Sequence, residues 1–424
     1  MLILYSLALL LVLVISSPWW LFRMATSGKY REGLAERLGI IPQRLRASHT
    51  TGPVLWIHAV SVGEVLAASR LIADLRHRLA ASPHPVRVVI STTTRTGQRL
   101  ARQRFGADRV FYFPLDFAWA VRAWLRFLRP RLLVLVETEF WPRMLVECRR
   151  AGIPVAVVNA RISDRSWPRY RRLAAIWKRL LSEISLILAQ TPLDAERLRA
   201  LGAANVRVSG NLKFDVRVSA AAPITQTLHE YLPASTPVLV CGSTLPGEEA
   251  MLLDALPPGI VTLLAPRHPE RFDEVAQLLK RRNASWLLRS EWMESPSAIA
   301  PGSVFLLDSI GELASVYSLA TAAFVGGSLV PSGGHNPLEP AQFGVPVATG
   351  PCYENFRGII DLLREHGAIR IAQPAQLRDA LAALLSGSPD SRAMGARGRE
   401  VFSSEAGATE RAVQALLELL EVRK

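Results

Sequence analysis

The strongest constraint in this sequence is a recurring alternation of short apolar runs with amphipathic stretches. Residues 54–60 (VLWIHAV), 86–92 (VRVVIST), 132–139 (LLVLVETE), 155–160 (VAVVNA), 184–191 (ISLILAQT) and 206–210 (VRVSG) are rich in Val, Ile and Leu. Stretches with a helical pattern, such as 64–80 (EVLAASRLIADLRHRLA), lie between them. Short apolar strands joined by helical crossovers require a parallel sheet covered on both faces. The rhythm is lost over 216–236, rich in Ala, Pro and Thr. It restarts at 237–244 (PVLVCGST) and continues through 260–267, 303–309, 322–328 and 345–350, and the tail over 391–423 reads as helical. A chain of 424 residues exceeds one simple core. The pattern predicts two doubly wound, Rossmann-like α/β domains, 23–215 and 237–424, joined by a linker over 216–236. Such sheets bind ligands outside the carboxyl ends of their strands, so the chemistry is expected just after each apolar run.

The charge is uneven. Residues 1–215 hold 33 Lys and Arg against 14 Asp and Glu, whereas residues 216–424 hold 17 against 22. The first half should therefore face something anionic: nucleic acid, an anionic membrane or a phosphorylated lipid. The N-terminus selects the membrane. Residues 1–22 (MLILYSLALLLVLVISSPWWLF) carry no charge, and roughly 20 apolar residues cross a bilayer core. Trp19 and Trp20 suit the interface, and Arg23, Lys29, Arg31, Arg37, Arg44 and Arg46 follow, which predicts a single anchor with a cytoplasmic body. A cleaved signal peptide fits less well, because the start has no basic residue and SSPWW is a poor cleavage site. Pro18 leaves insertion without spanning open. Cys148, Cys241 and Cys352 have no CxxC spacing, so the sequence carries neither a disulfide framework nor a zinc signature.

Three stretches of the first half carry candidate chemistry. Glu64 follows the first strand at a helix start, where unpaired N–H groups and the helix dipole are expected to hold it ionised as a general base. The plainer account is that glutamate favours the first turn of a helix, and spacing alone does not separate the two. Glu137 and Glu139, in VETEFWP (136–142), alternate onto one face of a strand end. A strand end reaching solvent would not explain the adjacent Phe140, Trp141 and Pro142. Lys213 in GNLKFD (210–215) offers a cation to an acidic group or phosphate; a solvated surface lysine is the plainer account.

The second half resembles a nucleotide site. Ser243 lies in GSTLPGEE (242–249), a small-residue loop before a helix that can cradle an anion. Arg267 and His268 follow a strand, and arginine suits phosphate or carboxylate. Gly311, Glu312 and Leu313 stand at a helix start in DSIGELASVY (308–317). In PSGGHNPLEPA (331–341) Asn336 is placed to cap a helix, and Glu339 in its first turn can accept hydrogen bonds from ribose hydroxyls. Helix-dipole stabilisation is the plainer account of Glu339, but the preceding glycines argue for close approach of backbone to something. No P-loop, aligned G-x-G-x-x-G or DxD ligand set occurs. That favours a reaction without metal, with the Glu137/Glu139 pair as the counter-indication.

In order along the chain, HAVSVGE (58–64), VETEFWP, NARIS (159–163), GNLKFD, PRHPERF (266–272), GEL (311–313), VGGSL (325–329) and GGHNPLEPA (333–341) resemble the motifs of Kdo transferases. These bacterial enzymes attach 3-deoxy-D-manno-oct-2-ulosonic acid (Kdo) to lipid A precursor in lipopolysaccharide biosynthesis. The resemblance spans nearly the whole chain. It implies the two-domain GT-B glycosyltransferase fold with a central cleft, CMP-Kdo as donor, and the 6′-hydroxyl of tetraacylated lipid A precursor (lipid IVA) as acceptor. It further implies an inverting, metal-independent transfer at the cytoplasmic leaflet of the inner membrane, with an anionic membrane surface and no nucleic acid as partners. By the same resemblance Glu64 is the base and Glu137 an essential acid. Lys213 lies near the donor, and Arg267, Gly311, Glu312, Leu313, Asn336 and Glu339 lie on the CMP side. One departure is Cys352, after VATGP, where the family commonly has histidine. Two other readings stay open: a membrane-associated GT-B transferase with a UDP-sugar donor, and a non-catalytic, membrane-anchored anion-binding protein. The last explains anchor and charge but not the ordered carboxylates.

Overall fold

The computed structural model describes residues 2–27, 31–47, 52–81 and 85–421. It divides into two compact units, one formed by Met1–Val216 with Ala406–Lys424 and the other by Arg217–Glu405.

The first unit is built on seven strands: β1 (Val54–His58), β2 (Arg87–Thr92), β3 (Val110–Tyr112), β4 (Pro130–Val136), β5 (Val155–Ala160), β6 (Leu186–Ala189) and β7 (Val206–Val208). Their order is β3-β2-β1-β4-β5-β6-β7, and every neighbouring pair runs parallel. Alternation along β1 explains why the whole strand is apolar. Leu55 and Ile57 join one core with Leu71, Ile72 and Leu75 of the helix Val62–Ala80. Trp56 points the other way, into a core with Phe111, Trp124 and Leu133. The chain reverses direction of winding between β1 and β4, so their carboxyl ends flank a crevice of the kind where such sheets bind ligands.

The second unit repeats the plan with β8 (Val238–Thr244), β9 (Val261–Pro266), β10 (Trp286–Leu288), β11 (Val304–Leu306), β12 (Ala322–Val325), β13 (Val347–Thr349) and β14 (Ile369–Ile371). The order is β10-β11-β9-β8-β12-β13-β14, again all parallel. Here the winding reverses between β8 and β12.

Two boundaries differ from the sequence expectation. Residues 216–236 are not a free linker: they contain the helix Pro223–Tyr231, whose Ile224 and Leu228 enter the core around Val240 and Phe305. The last helix, Ala408–Glu421, belongs to the first unit. Its Ala412, Val413 and Leu416 share the core of Leu71 and Val134, and the Asp215 carboxylate accepts the N–H groups of Gly407 and Thr409 at its start.

The N-terminal segment forms the helix Leu2–Ser27. The Tyr5 hydroxyl donates to Asp116 at 2.9 Å, and Leu7, Leu11, Val14, Ile15 and Phe22 are exposed. Among the described residues no helix is long and apolar enough to cross a membrane. Lys29, one of the expected flanking cations, lies outside the described residues.

Candidate active site

In the first unit the turn after β1 presents Ser61 as N-cap of Val62–Ala80. Its Oγ accepts the Glu64 N–H at 3.5 Å and donates to Glu64 Oε1 at 3.0 Å, while Oε2 accepts the Val60 N–H at 2.7 Å. This is a variant of the capping box that S-x-x-E favours at a helix start, with the glutamate reaching back to the Val60 N–H and the Ser61 hydroxyl rather than to the N-cap N–H. The plainer account of Glu64 is thus realised, and the same contacts fix where its carboxyl group sits. The expected charge state is not realised. Burial raises the pKa of Glu64 first, the Glu137 charge adds to it, and the Val60 N–H opposes; with Glu139 also raising it, the carboxyl is pushed up to about 8. Desolvation and like charges outweigh two hydrogen bonds and a helix terminus, and roughly a tenth of Glu64 is ionised at pH 7.

Glu137 does not continue the alternation of β4, which ends at Val136. Its φ of 62° lies in the left-handed region, and its N–H still donates to Val158 O at 2.8 Å. Backbone held in that region by a non-glycine residue is a strained turn. It replaces simple alternation as the reason why Glu137 and Glu139 both act on Glu64. Burial and then the Glu137 charge raise the pKa of Glu139. Lys213 is no solvated surface lysine: its Nζ stands 3.8 Å from Glu137 Oε1. The Lys213 loop is tied at two points, where Asn211 Oδ1 accepts the Lys213 N–H and Asn159 Oδ1 accepts the Leu212 N–H, both at 3.0 Å. In the sequence Asn159 stands out only as part of NARIS. Its φ of 59° suits asparagine, which tolerates left-handed backbone, and that is the signal which could have marked it.

In the second unit the mouth between β8 and β12 is organised by Glu248, a residue the sequence had not singled out. Fully buried, its carboxylate accepts the N–H groups of Leu245 (2.9 Å), Gly327 (2.6 Å), Ser328 (2.8 Å) and Leu329 (2.8 Å). The loop expected to cradle an external anion therefore holds an internal one. Two of its glycines serve the protein's own packing. A Cβ at Gly326 would lie 2.7 Å from Ser243 O, and one at Gly327 would lie 2.7 Å from the His335 ring. Ser243 itself takes a φ of 57° at the end of β8.

Arg267 leaves the β9 end with its N–H on Thr244 O at 3.0 Å. Burial, then Arg267, then His268 lower the pKa of His335 to about 4, so His335 is neutral beside the Arg267 guanidinium. Its buried Nε2 has no partner among the described residues. Asn336 Oδ1 accepts the Leu338 N–H at 3.2 Å, one position ahead of the Pro337 cap of Leu338–Ala341, and its amide faces Glu339 Oε1 at 3.5 Å. Desolvation raises the pKa of Glu339 against the pull of Asn336 and Arg267. Arg267, His268, Asn336 and Glu339 are thus brought together, with His335 the missed member of the group. Glu312 is held elsewhere, by the guanidinium of Arg289 and the Ser309 hydroxyl. Gly311 has a φ of 96°, and Leu313 packs under Gly242, where a Cβ would lie 3.0 Å from it.

These arrangements can be set beside known proteins. A family model described as 3-deoxy-D-manno-octulosonic-acid transferase (kdotransferase) matches residues 32–216. A 3-deoxy-D-manno-octulosonic acid transferase of Haemophilus influenzae is 36% identical over 93% of this chain and 93% of its own. One of Bordetella pertussis is 33% identical over 94% of each. In fold the chain is similar to a UDP-GlcNAc 2-epimerase of Neisseria meningitidis, with a TM-score of 0.58 at 12% identity over 88% of this chain and 100% of that one. Similarity of this kind over both units, rather than at one motif, makes the chain a glycosyltransferase belonging to the 3-deoxy-D-manno-octulosonic acid transferase family.

Proposed function

We propose that the enzyme transfers Kdo from CMP-Kdo to the 6′-hydroxyl of lipid A precursor, with inversion and without a metal, and that Glu64 is the general base. The observation that carries this reading is Glu64 itself. It is a buried carboxyl group fixed by Val60 and Ser61 at the mouth of β1, with a pKa of about 8. A base whose pKa lies near the operating pH combines a usable ionised fraction with enough basicity to accept a proton as the acceptor oxygen attacks. Lys213 beside Glu137 limits the negative charge that surrounds it. CMP leaves as a monophosphate, for which Arg267 and His268, with neutral His335 beside them, supply a compact group of donors and positive charge. Asn336 and Glu339 suit the nucleoside side.

The acceptor is a phosphorylated lipid, and several features support work at an inner-membrane surface facing the cytoplasm. The helix Leu2–Ser27 exposes Leu7, Leu11, Ile15 and Phe22, as a membrane anchor requires. After β5 the helices Trp167–Arg172 and Ala174–Leu181 combine Arg169, Arg171, Arg172, Lys178 and Arg179 with exposed Leu173 and Ile176. The experiment is product analysis by mass spectrometry with CMP-Kdo and lipid A precursor. A lipid product heavier by Kdo with release of CMP is expected. Release of UDP from a UDP-sugar, with no Kdo product, would overturn the donor assignment. Association with vesicles bearing the acceptor should weaken as salt rises, because the basic half is screened.

A further inference from the structure

The first unit carries a second concavity at the opposite end of its sheet from Glu64. It has a volume of about 580 Å³ and is lined by Arg122, Arg126, Arg129, Arg131, Arg150 and Glu147 among others. It sits where the helices Ala118–Leu128 and Pro142–Arg150 end and where β4 and β5 begin. The length of β4, about 23 Å at roughly 3.3 Å per residue, separates it from Glu137. A group bound here is not in contact with the carboxylates at the other end.

Glu147 is the one acid in the lining, and its charge is already shared. Arg122 binds it through two nitrogens at 2.7 and 3.1 Å, and Arg143 and Arg150 each reach it at 3.0 Å. Arg131 donates to the Leu420 carbonyl. The side chains of Arg126 and Arg129 make no ion pair or hydrogen bond among the described residues, and both are exposed. Three guanidinium groups, those of Arg122, Arg143 and Arg150, thus share one carboxylate, and the lining carries five arginines against that single acid. The plainer account is that arginines near helix ends complement the dipole. It fits Arg126 and Arg150, which lie in the last turns of their helices. It does not account for Arg122, which lies deeper in its helix, or for Arg131 in β4. Arg129 is the more telling case. It is the C-cap residue, with a φ of 43°, a position where glycine is the usual occupant because a side chain is strained there. The two helix ends together offset about one positive charge, which leaves a net charge of about +3 in a concavity of ligand size.

From this geometry we infer that the concavity is a binding site for a phosphorylated anion carrying two or more charges, a phosphomonoester or a diphosphate. Forked guanidinium groups bind phosphoryl oxygens in pairs, and a dianion relieves the repulsion among the five cations. The same chemistry is offered by a soluble phosphate compound and by a phospholipid headgroup.

The test uses the full-length protein and the exposed pair, Arg126→Gln with Arg129→Gln, whose replacement leaves the cores intact. Inorganic pyrophosphate is titrated calorimetrically into parent and double variant. Vesicles of phosphatidic acid, whose headgroup is a phosphomonoester, and of phosphatidylcholine are compared in parallel. Arg267→Ala serves as a control for binding at the second unit, and Glu64→Gln as one for the first unit's carboxylate site. Expected is one saturable site whose affinity falls about tenfold or more in the double variant and is unchanged in Arg267→Ala and Glu64→Gln. A loss confined to the phosphatidic-acid-dependent part of vesicle binding supports the inference with a headgroup as ligand. A double variant that matches the parent with both probes overturns it, as does a parent that binds neither.

Discussion

Glu64 and Glu248 occupy corresponding places in the two units, each in the first turn of the helix that follows a central strand, β1 or β8. Both accept backbone N–H groups, yet the surroundings give them different roles. Glu248 has four N–H donors that belong to its own and the neighbouring loop, and its charge is used up in holding them. Glu64 has the Val60 N–H and the Ser61 hydroxyl, and it faces Glu137 and Glu139. The first is a fastener for the VGGSL loop. The second is an under-satisfied carboxyl group that holds a proton near neutrality and can exchange it. The scaffold is common to both, and the number of donors against the number of like charges decides the chemistry.

The sharpest way to break this contrast is Glu64→Gln. Glutamine can still accept the Val60 N–H, so the thermal midpoint should hold, while transfer falls by on the order of 10²–10⁴-fold. Single-turnover rates measure the loss, and calorimetry with CMP-Kdo should find donor binding intact. Undiminished turnover would remove Glu64 as base. The sign of the pH dependence follows from the same residue. A base works ionised, so kcat/KM of the parent should rise with pH through about 8, the point to which burial and Glu137 push Glu64.

Glu248→Ala should act on stability instead. It strands four N–H groups in a buried site, and a loss of at least about 3 kcal/mol is expected in denaturant unfolding. A loss below about 1 kcal/mol would show that water replaces the carboxylate and that Glu248 is no fastener. Arg267→Ala tests the neighbouring cationic group. Removing one charge-assisted contact, worth about 1.5–3 kcal/mol, should raise KM for CMP-Kdo by on the order of 10- to 100-fold, with a smaller fall in kcat from the lost support of the leaving phosphate. A change confined to kcat would move Arg267 from donor binding to the reaction step. It should also relieve one of the charges that depress the His335 pKa, which a histidine proton titration by NMR can follow.

The interior strands were legible because burial on two faces demands a continuous apolar run. β3, β10 and β14 were not: each is three residues long and stands at a sheet edge, where one neighbour suffices and the apolar signal is short. The last helix was legible as a helix but not as part of the first unit, since an amphipathic face states that it is buried and not against which sheet. Glu64 was legible as the end of S-x-x-E. Its protonation was not, because it depends first on burial by the folded unit and then on Glu137, which is delivered from another strand through a left-handed turn. The glycines of VGGSL are close approaches to the protein's own groups, His335 and, far off in sequence, Ser243. His335 is not legible, because a histidine beside glycines gives no hint that Arg267 and His268, from a different strand end, converge on it.

The smallest effect examines the balance at Glu64 itself. Glu139 raises the pKa of Glu64 less than burial or Glu137 does, so Glu139→Gln should shift the rising limb of kcat/KM to lower pH by only a fraction of a pH unit. The direction is fixed: removing a negative neighbour makes ionisation of Glu64 easier, so more of it is active at a given pH. The limb should remain far above the ordinary carboxylate range, because desolvation, the largest cause, is untouched. A pH–rate profile of the variant at saturating and at low donor concentration separates the outcomes. A limb that stays where it was would mean that the Glu139 charge is screened from Glu64 in the working enzyme. A limb that falls to near 4.5, the ordinary value for a glutamate, would mean that repulsion rather than burial holds the proton there, and the distinction drawn between Glu64 and Glu248 would then rest on charge alone.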